Sequence, residues 1–304
     1  MKTTKFMDFI NPTEQFCEKR RAAQGFAIYE KYGIILYHTG VCALYDLETR
    51  DPEPLDVIKL ASYNDGQPDK RYVNHANDAM FAGKLPDGRP LLYITSGNSG
   101  EADEHGLIAR CEVEAITIAP DETGKMRIAT EAIQTIAYKN DGMEQTRWQT
   151  PGWGWPASLV DEKKGYYYMF SSRYRTKIDF MDKYDENNYI LTRFPLPDIG
   201  KRYVTLTPED IVEQFELPFD VLFTQGGTLK DGIIYYTFGC GKPHYPDAIR
   251  IIDANAGQLI GRVDLSDCMF SEEEVECCAF YGDRLLINVN TKPIGHIYEI
   301  TLDQ

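Results

Sequence analysis

A hairpin unit recurs five times along this 304-residue chain, and that recurrence constrains the fold more than any other feature. The clearest copy is Gln225-Gly226-Gly227-Thr228-Leu229-Lys230-Asp231-Gly232-Ile233-Ile234-Tyr235-Tyr236-Thr237. An apolar strand reaches Leu229, Lys230-Asp231-Gly232 turns the chain, and a β-branched and aromatic strand returns. The other copies begin at Gln24, Asn77, Trp155 and Glu276. Their turns are expected near Tyr32-Gly33, Leu85-Pro86-Asp87-Gly88, Asp161-Glu162-Lys163-Lys164-Gly165 and Gly282-Asp283.

Further short strand segments follow each hairpin, among them Val41 to Tyr45, Leu107 to Glu114, Ala132 to Tyr138, Tyr189 to Phe194 and Ala248 to Asp253. A short helix is expected at Thr207 to Glu213, with Thr207 as N-cap and Pro208 in the first helical position. Units of up to four short strands with little helix predict an all-β, five-bladed β-propeller. The expectation is a single domain over 1–304, with blades near 24–60, 77–138, 155–217, 225–266 and 276–302. The last unit has room for only three strands before Gln304. The segment Phe6 to Ile10 is expected to supply the fourth and close the ring, hiding two open sheet edges. A β-sandwich of the same hairpins, or a sixth blade cut from the second or third unit, are the competing arrangements.

On these repeats nearly the whole chain resembles a five-bladed β-propeller. The segments Gly25 to Gly40, ending Tyr37-His38-Thr39-Gly40, and His75-Ala76-Asn77-Asp78 are similar to uncharacterised propeller proteins of gut bacteria. That resemblance implies a fold and brings no catalytic signature. Propeller glycoside hydrolases and calcium-dependent nucleotidases share the architecture, and no motif here matches either specifically.

Formal net charge is −15, which disfavours nucleic acid or an anionic membrane as partner and leaves a polar small molecule or glycan. The seven cysteines are odd in number and form no CxxC pair, so buried reduced thiols are expected. Met1 to Phe16 has no apolar leader region, which places the chain in the cytoplasm as written, or outside if a leader precedes it. Calcium in the channel is the one cofactor considered. No G-x-S-x-G, P-loop, G-x-G-x-x-G or H-E-x-x-H motif occurs.

In such a ring the innermost strand of each blade lines the central channel. Aligning the units on Ile28, Phe81, Leu159, Leu229 and Phe280 puts Gln24, Asn77, Trp155, Gln225 and Glu276 at one level. Amides, an acid and an indole suit a sugar-like or polar organic ligand. They equally suit a water-filled channel mouth. Trp153 and Trp155 are an aromatic platform or core, and His38, Arg173 and His244 sit on loops expected at the same end. Asp78, Glu276 and His75 are the candidate acid–base set, with a structural hydrogen bond as the alternative for His75 and Asp78. The functional expectation is binding, and in its stronger form hydrolysis, of a carbohydrate or other polar small molecule. A non-catalytic protein-interaction scaffold is the alternative.

Overall fold

The structure, a computed structural model, describes residues 2–12, 22–37, 40–62, 76–96, 107–139, 145–151, 156–172, 188–218, 223–242, 245–266, 273–291 and 294–302. The chain opens with β1 (Lys2–Ile10). The first blade holds β2 (Ala23–Tyr29), β3 (Tyr32–Tyr37), β4 (Val41–Asp46) and β5 (Asp56–Lys59). The second holds β6 (Ala76–Lys84), β7 (Pro90–Ser96), β8 (Leu107–Pro120) and β9 (Met126–Lys139). The third runs β10 (Ala157–Asp161), β11 (Tyr166–Ser172), β12 (Asn188–Pro195) and then β14 (Glu213–Pro218), after β13 (Tyr203–Leu206) has left for its neighbour. The fourth is β15 (Thr224–Lys230), β16 (Ile233–Phe238), β17 (Ala248–Asp253) and β18 (Gln258–Asp264). The fifth is β19 (Glu274–Tyr281), β20 (Arg284–Asn290) and β21 (Ile294–Thr301).

These sheets are the five blades of a β-propeller. β1 pairs antiparallel with β21 from Lys2↔Thr301 to Ile10↔Ile294, so the first strand completes the last blade. The closure satisfies an edge that would otherwise present unpaired N–H and C=O groups. Four apolar clusters run between blades: one between the first and second, one across the second to fourth, one between the fourth and fifth, one between the fifth and first. The core therefore lies between sheets rather than within one. This is why β3 and β4 are buried on nearly every residue while outer β18 alternates exposed and half-buried positions.

Three local expectations are corrected. The first hairpin turns at Glu30-Lys31, because Tyr29 pairs with Tyr32, and Glu30 takes the left-handed conformation at φ 54°. The helix expected at 207–213 is a single 3-10 turn, Pro208–Asp210. It stops because the backbone N–H of Val212 bonds to Arg193 O, drawing the chain into the third blade. In the second blade β8 and β9 extend well past Glu114 and Ala132, and β13 adds a parallel fifth strand on β9.

Candidate functional site

The inner strands β2, β6, β10, β15 and β19 meet around the ring axis. In four of them the ladder to the next strand slips by a bulge: between Ala23 and Phe26, Ala76 and Asp78, Thr224 and Gly227, and Val275 and Cys277. The residues inside these slips include Gln24, Asn77, Gln225 and Glu276, the positions that sequence alignment put at one level. A bulge breaks strict alternation and re-aims a side chain. β10 pairs without a break from Ala157 onward.

Two hydrogen-bonded groups result. Gln24 Nε2 donates to Glu276 Oε1 at 2.9 Å, and Asn290 Nδ2 donates to the same oxygen at 3.2 Å. Asn288 Nδ2 donates to Gln24 O at 2.9 Å, and Thr237 Oγ1 to Glu276 O at 3.2 Å. Gln225 turns instead to Glu274 Oε1 at 3.0 Å and Gly239 O at 2.6 Å. The layer is nearly closed to solvent, with Glu276 2%, Gln24 5% and Gln225 8% exposed. Burial, with Glu274 and Asp247 as like-charged neighbours, raises Glu276 well above the ordinary glutamate range. Burial likewise pushes Asp247 up to about 7.

Asp78 lies one step further in and faces the axis. Its Oδ1 accepts from Gly227 N at 3.0 Å, its neighbour Ala79 N at 2.9 Å and Cys277 Sγ at 3.1 Å. One carboxyl thus ties the second, fourth and fifth blades together across the ring. Glycine makes the room: a Cβ on Gly226 would stand 2.6 Å from Cys277 Sγ and 2.9 Å from Asp78 Oδ1. Asp78 is fully buried, its Oδ2 has no hydrogen-bond partner among the described residues, and burial pushes it up to about 7.

Of the other candidates, His75, Trp153, Trp155, His38, Arg173 and His244 lie outside the described residues, and of Asn77 only the backbone is described. Among the described residues no group of three or more His, Cys, Asp or Glu could hold a metal ion. Sequence reading missed Glu274, Asp247 and Asn288. Asn288 and Asn290 alternate at the end of the apolar run Leu285 to Val289, and that break in β-propensity was the available signal. Sequence reading also looked only to the mouth where inner strands begin. The described cavities, about 630 and 450 Å³, open at the opposite end, among the hairpin turns.

The fold and this layer define a five-bladed β-propeller with two buried amide–carboxyl groups under one mouth and the buried carboxyl of Asp78 between blades. No protein-family model matches the chain, and no curated protein matches it. Solved structures do match. The tail fiber of Staphylococcus aureus phage P68 superposes with a TM-score of 0.52 at 11% identity, over 98% of this chain and 52% of that one. This chain thus spans about half the fiber's length. The glutaminyl cyclase of Myxococcus xanthus superposes with a TM-score of 0.47 at 12% identity, over 99% of this chain and 97% of that one. At such identities the likeness is one of fold. Among the described residues no helix is long and apolar enough to cross a membrane.

Proposed function

We propose that the protein binds a carbohydrate or other polar small molecule at the mouth where its inner strands begin. The observation that carries this reading is the set of four bulges at one level, which break the ladders at Gln24, Asn77, Gln225 and Glu276. Four independent strands breaking their ladders at one height is more than packing requires, since bulges concentrate where side chains must be redirected. In this reading Gln24, Gln225 and Glu276 form the hydrogen-bonding floor with Asn77, and Trp153 and Trp155 supply a stacking platform. His38, Arg173 and His244 belong to the rim. Glu276, whose pKa burial raises, is the acid that a hydrolytic activity would use. Asp78, sealed at the axis, holds the floor in place.

The test is calorimetric titration and thermal shift with neutral mono- and disaccharides and polyols. At least one should bind, and Gln24→Ala should weaken it about tenfold, as expected for a lost buried hydrogen bond of ~1–2 kcal/mol, while the fold persists. Absence of binding across the panel, or binding indifferent to Gln24 and Gln225, would overturn the proposal. The buried Asp78 carboxyl, which ties three blades together, supports the scaffold reading as the second choice. It predicts that Gln24→Ala leaves partner capture intact.

A further inference from the structure

Donors and acceptors are unevenly taken up in the layer under the mouth. Gln24 Nε2 gives its hydrogens to Ala23 O and Glu276 Oε1, both at 2.9 Å. Gln225 Nε2 gives its own to Gly239 O and Glu274 Oε1. A side-chain amide nitrogen carries only two hydrogens, so neither glutamine keeps one for a ligand. Oxygens, by contrast, are left over. Glu276 receives both Gln24 and Asn290 on Oε1, and its Oε2 accepts nothing among the described residues. Asn288 and Asn290 use Nδ2 on Gln24 O and Glu276 Oε1, and their Oδ1 atoms accept nothing among the described residues. Asn288 is fully buried, and Asn290 is half-buried at the edge of the layer.

Charge points the same way. The charged neighbours of Glu276 are Glu274 on its own strand and Asp247, just ahead of β17. The other side chains bonded to Glu276 or to its backbone, Gln24, Asn290 and Thr237, are uncharged. Glu273, a further neighbour of Asp247, has His296 Nε2 3.8 Å from its Oε1. Among the described residues no lysine or arginine forms an ion pair with Glu276 or Asp247. Burial of an acid without a cation favours its protonated form, and a cation brought beside it reverses that preference.

We propose that the ligand of this mouth carries a primary ammonium group, as an amino sugar does, and that Glu276 Oε2 and Asn290 Oδ1 receive it. The assignment rests on the mouth being the binding site and adds the class of ligand. A hydroxyl fits the same acceptors but brings no charge. An ammonium brings donors only, together with the charge that the carboxyl groups lack as a partner. A carboxylate or phosphate finds no free N–H on Gln24 or Gln225 and meets like charge. Binding then moves one proton. Glu276 starts as the acid and the ligand as its ammonium. The O–H bond of Glu276 breaks, the carboxylate pairs with the ammonium, and the proton leaves to solvent.

The experiment is calorimetric titration of the full chain with three amine–hydroxyl twins: glucosamine and glucose, galactosamine and galactose, mannosamine and mannose. It is run at mildly acidic pH, where the amines are protonated. At least one amine should bind about tenfold tighter than its twin, the scale of one charge-assisted hydrogen bond. Its apparent enthalpy should differ between phosphate and ACES buffers, which take up the released proton with different heats, and that of the twin should not. Glu276→Gln should abolish the amine's advantage and its buffer dependence together. Glu274→Gln, at a half-buried position, should lower the advantage about 3-fold and serves even if Glu276→Gln fails to fold. Amines no tighter than their twins, while a sugar binds and responds to Gln24→Ala, would overturn the ammonium assignment and leave the binding mouth standing. No binding by any of these sugars would overturn both. An amine advantage that survives in Glu276→Gln and Glu274→Gln would place the ammonium elsewhere and overturn the assignment.

Discussion

Gln24 hands its side-chain amide to Glu276 across 252 positions of sequence, and this 2.9 Å bond joins the first blade to the last beneath the mouth. Asn290 brings a second N–H to the same Oε1. These two donors favour the ionised carboxyl, but burial, with Glu274 and Asp247 as like-charged neighbours, outweighs them and raises its pKa well above the ordinary glutamate range, which favours the neutral acid. Glutamine is then a close mimic. Glu276→Gln is expected to stay within about 1 kcal/mol of the parent in urea unfolding at neutral pH. Glu276→Ala, which strands two buried amides, should lose roughly 2–3 kcal/mol. Equal losses in the two variants would show the carboxyl to be ionised.

Asp78 makes the ring's stability depend on pH. Its ordinary value is 3.8, and burial pushes it up to about 7 in the fold. Between those values the folded chain holds a proton that the unfolded chain has released. Stability from this group is therefore complete below the ordinary value and declines as pH rises through about 7. The full shift is worth at most roughly 4 kcal/mol. Asp247, also raised to about 7, adds a decline of the same direction. Asp46 and Asp121, held below the usual carboxylate range by hydrogen bonds to their own turns, stay ionised over that window and do not mask it. Melting temperature should fall between mildly acidic and mildly basic pH. Asp78→Asn, uncharged throughout, should flatten the slope and melt above the parent at the basic end. A slope unchanged in Asp78→Asn would mean that Asp78 does not titrate there.

The blades were legible because hairpin periodicity is local: strand, short turn, strand. Even the level of Gln24, Asn77, Gln225 and Glu276 could be read, since a fixed offset from an apolar anchor survives the bulge. What each side chain meets could not be read, because the partners come from other blades. Gln225 shares a level with Glu276, yet it bonds Glu274, while Glu276 takes Gln24. Asp78, a candidate acid by sequence, is bonded by Gly227 and Cys277 of two other blades, partners that no local pattern contains. The length of β8 was hidden by Glu112 and Glu114, whose charges looked like a strand's end. Both are buried: Thr135 Oγ1 donates to Glu112 at 2.8 Å, and Ser62 N to Glu114 at 2.8 Å. β13 crosses to a neighbouring blade, which a reading by repeat units has no means to express.

Gly226 tests the axis by volume rather than charge. Its backbone conformation is open to any residue, so only space forbids a side chain. An alanine Cβ would fall 2.6 Å from Cys277 Sγ and 2.9 Å from Cys277 Cβ. Gly226→Ala is expected to destabilise by about 1–3 kcal/mol, the range for overpacked cores. Adding Cys277→Ala removes the sulfur and should return part of the loss, measured as a double-mutant cycle in urea. Strict additivity of the two changes would show that the residues do not share the axial space.

Ring closure rests on β1, and Phe9 is its anchor. The ring is fully buried, packs edge-on to Tyr45 of the first blade with centroids 5.7 Å apart, and covers Gly295 of β21. A Cβ at Gly295 would stand 2.0 Å from Phe9 Cζ, so the strand closes only over a glycine. Alongside, Asp8 Oδ1 and His296 Nδ1 meet at 2.6 Å as a cross-strand pair. Phe9→Ala opens a cavity between the first and last blades and should cost ~3–5 kcal/mol. Gly295→Ala keeps every atom of β1 but pushes it off, and so separates closure from bulk hydrophobicity. Limited proteolysis should then cleave within Lys2–Ile10 far faster in Gly295→Ala than in the parent, and hydrogen exchange should rise first in β21, the strand left as an edge. If β21 amides stay protected while β1 is cleaved, the last blade is stable with three strands and the first strand is an ornament to the ring rather than its clasp.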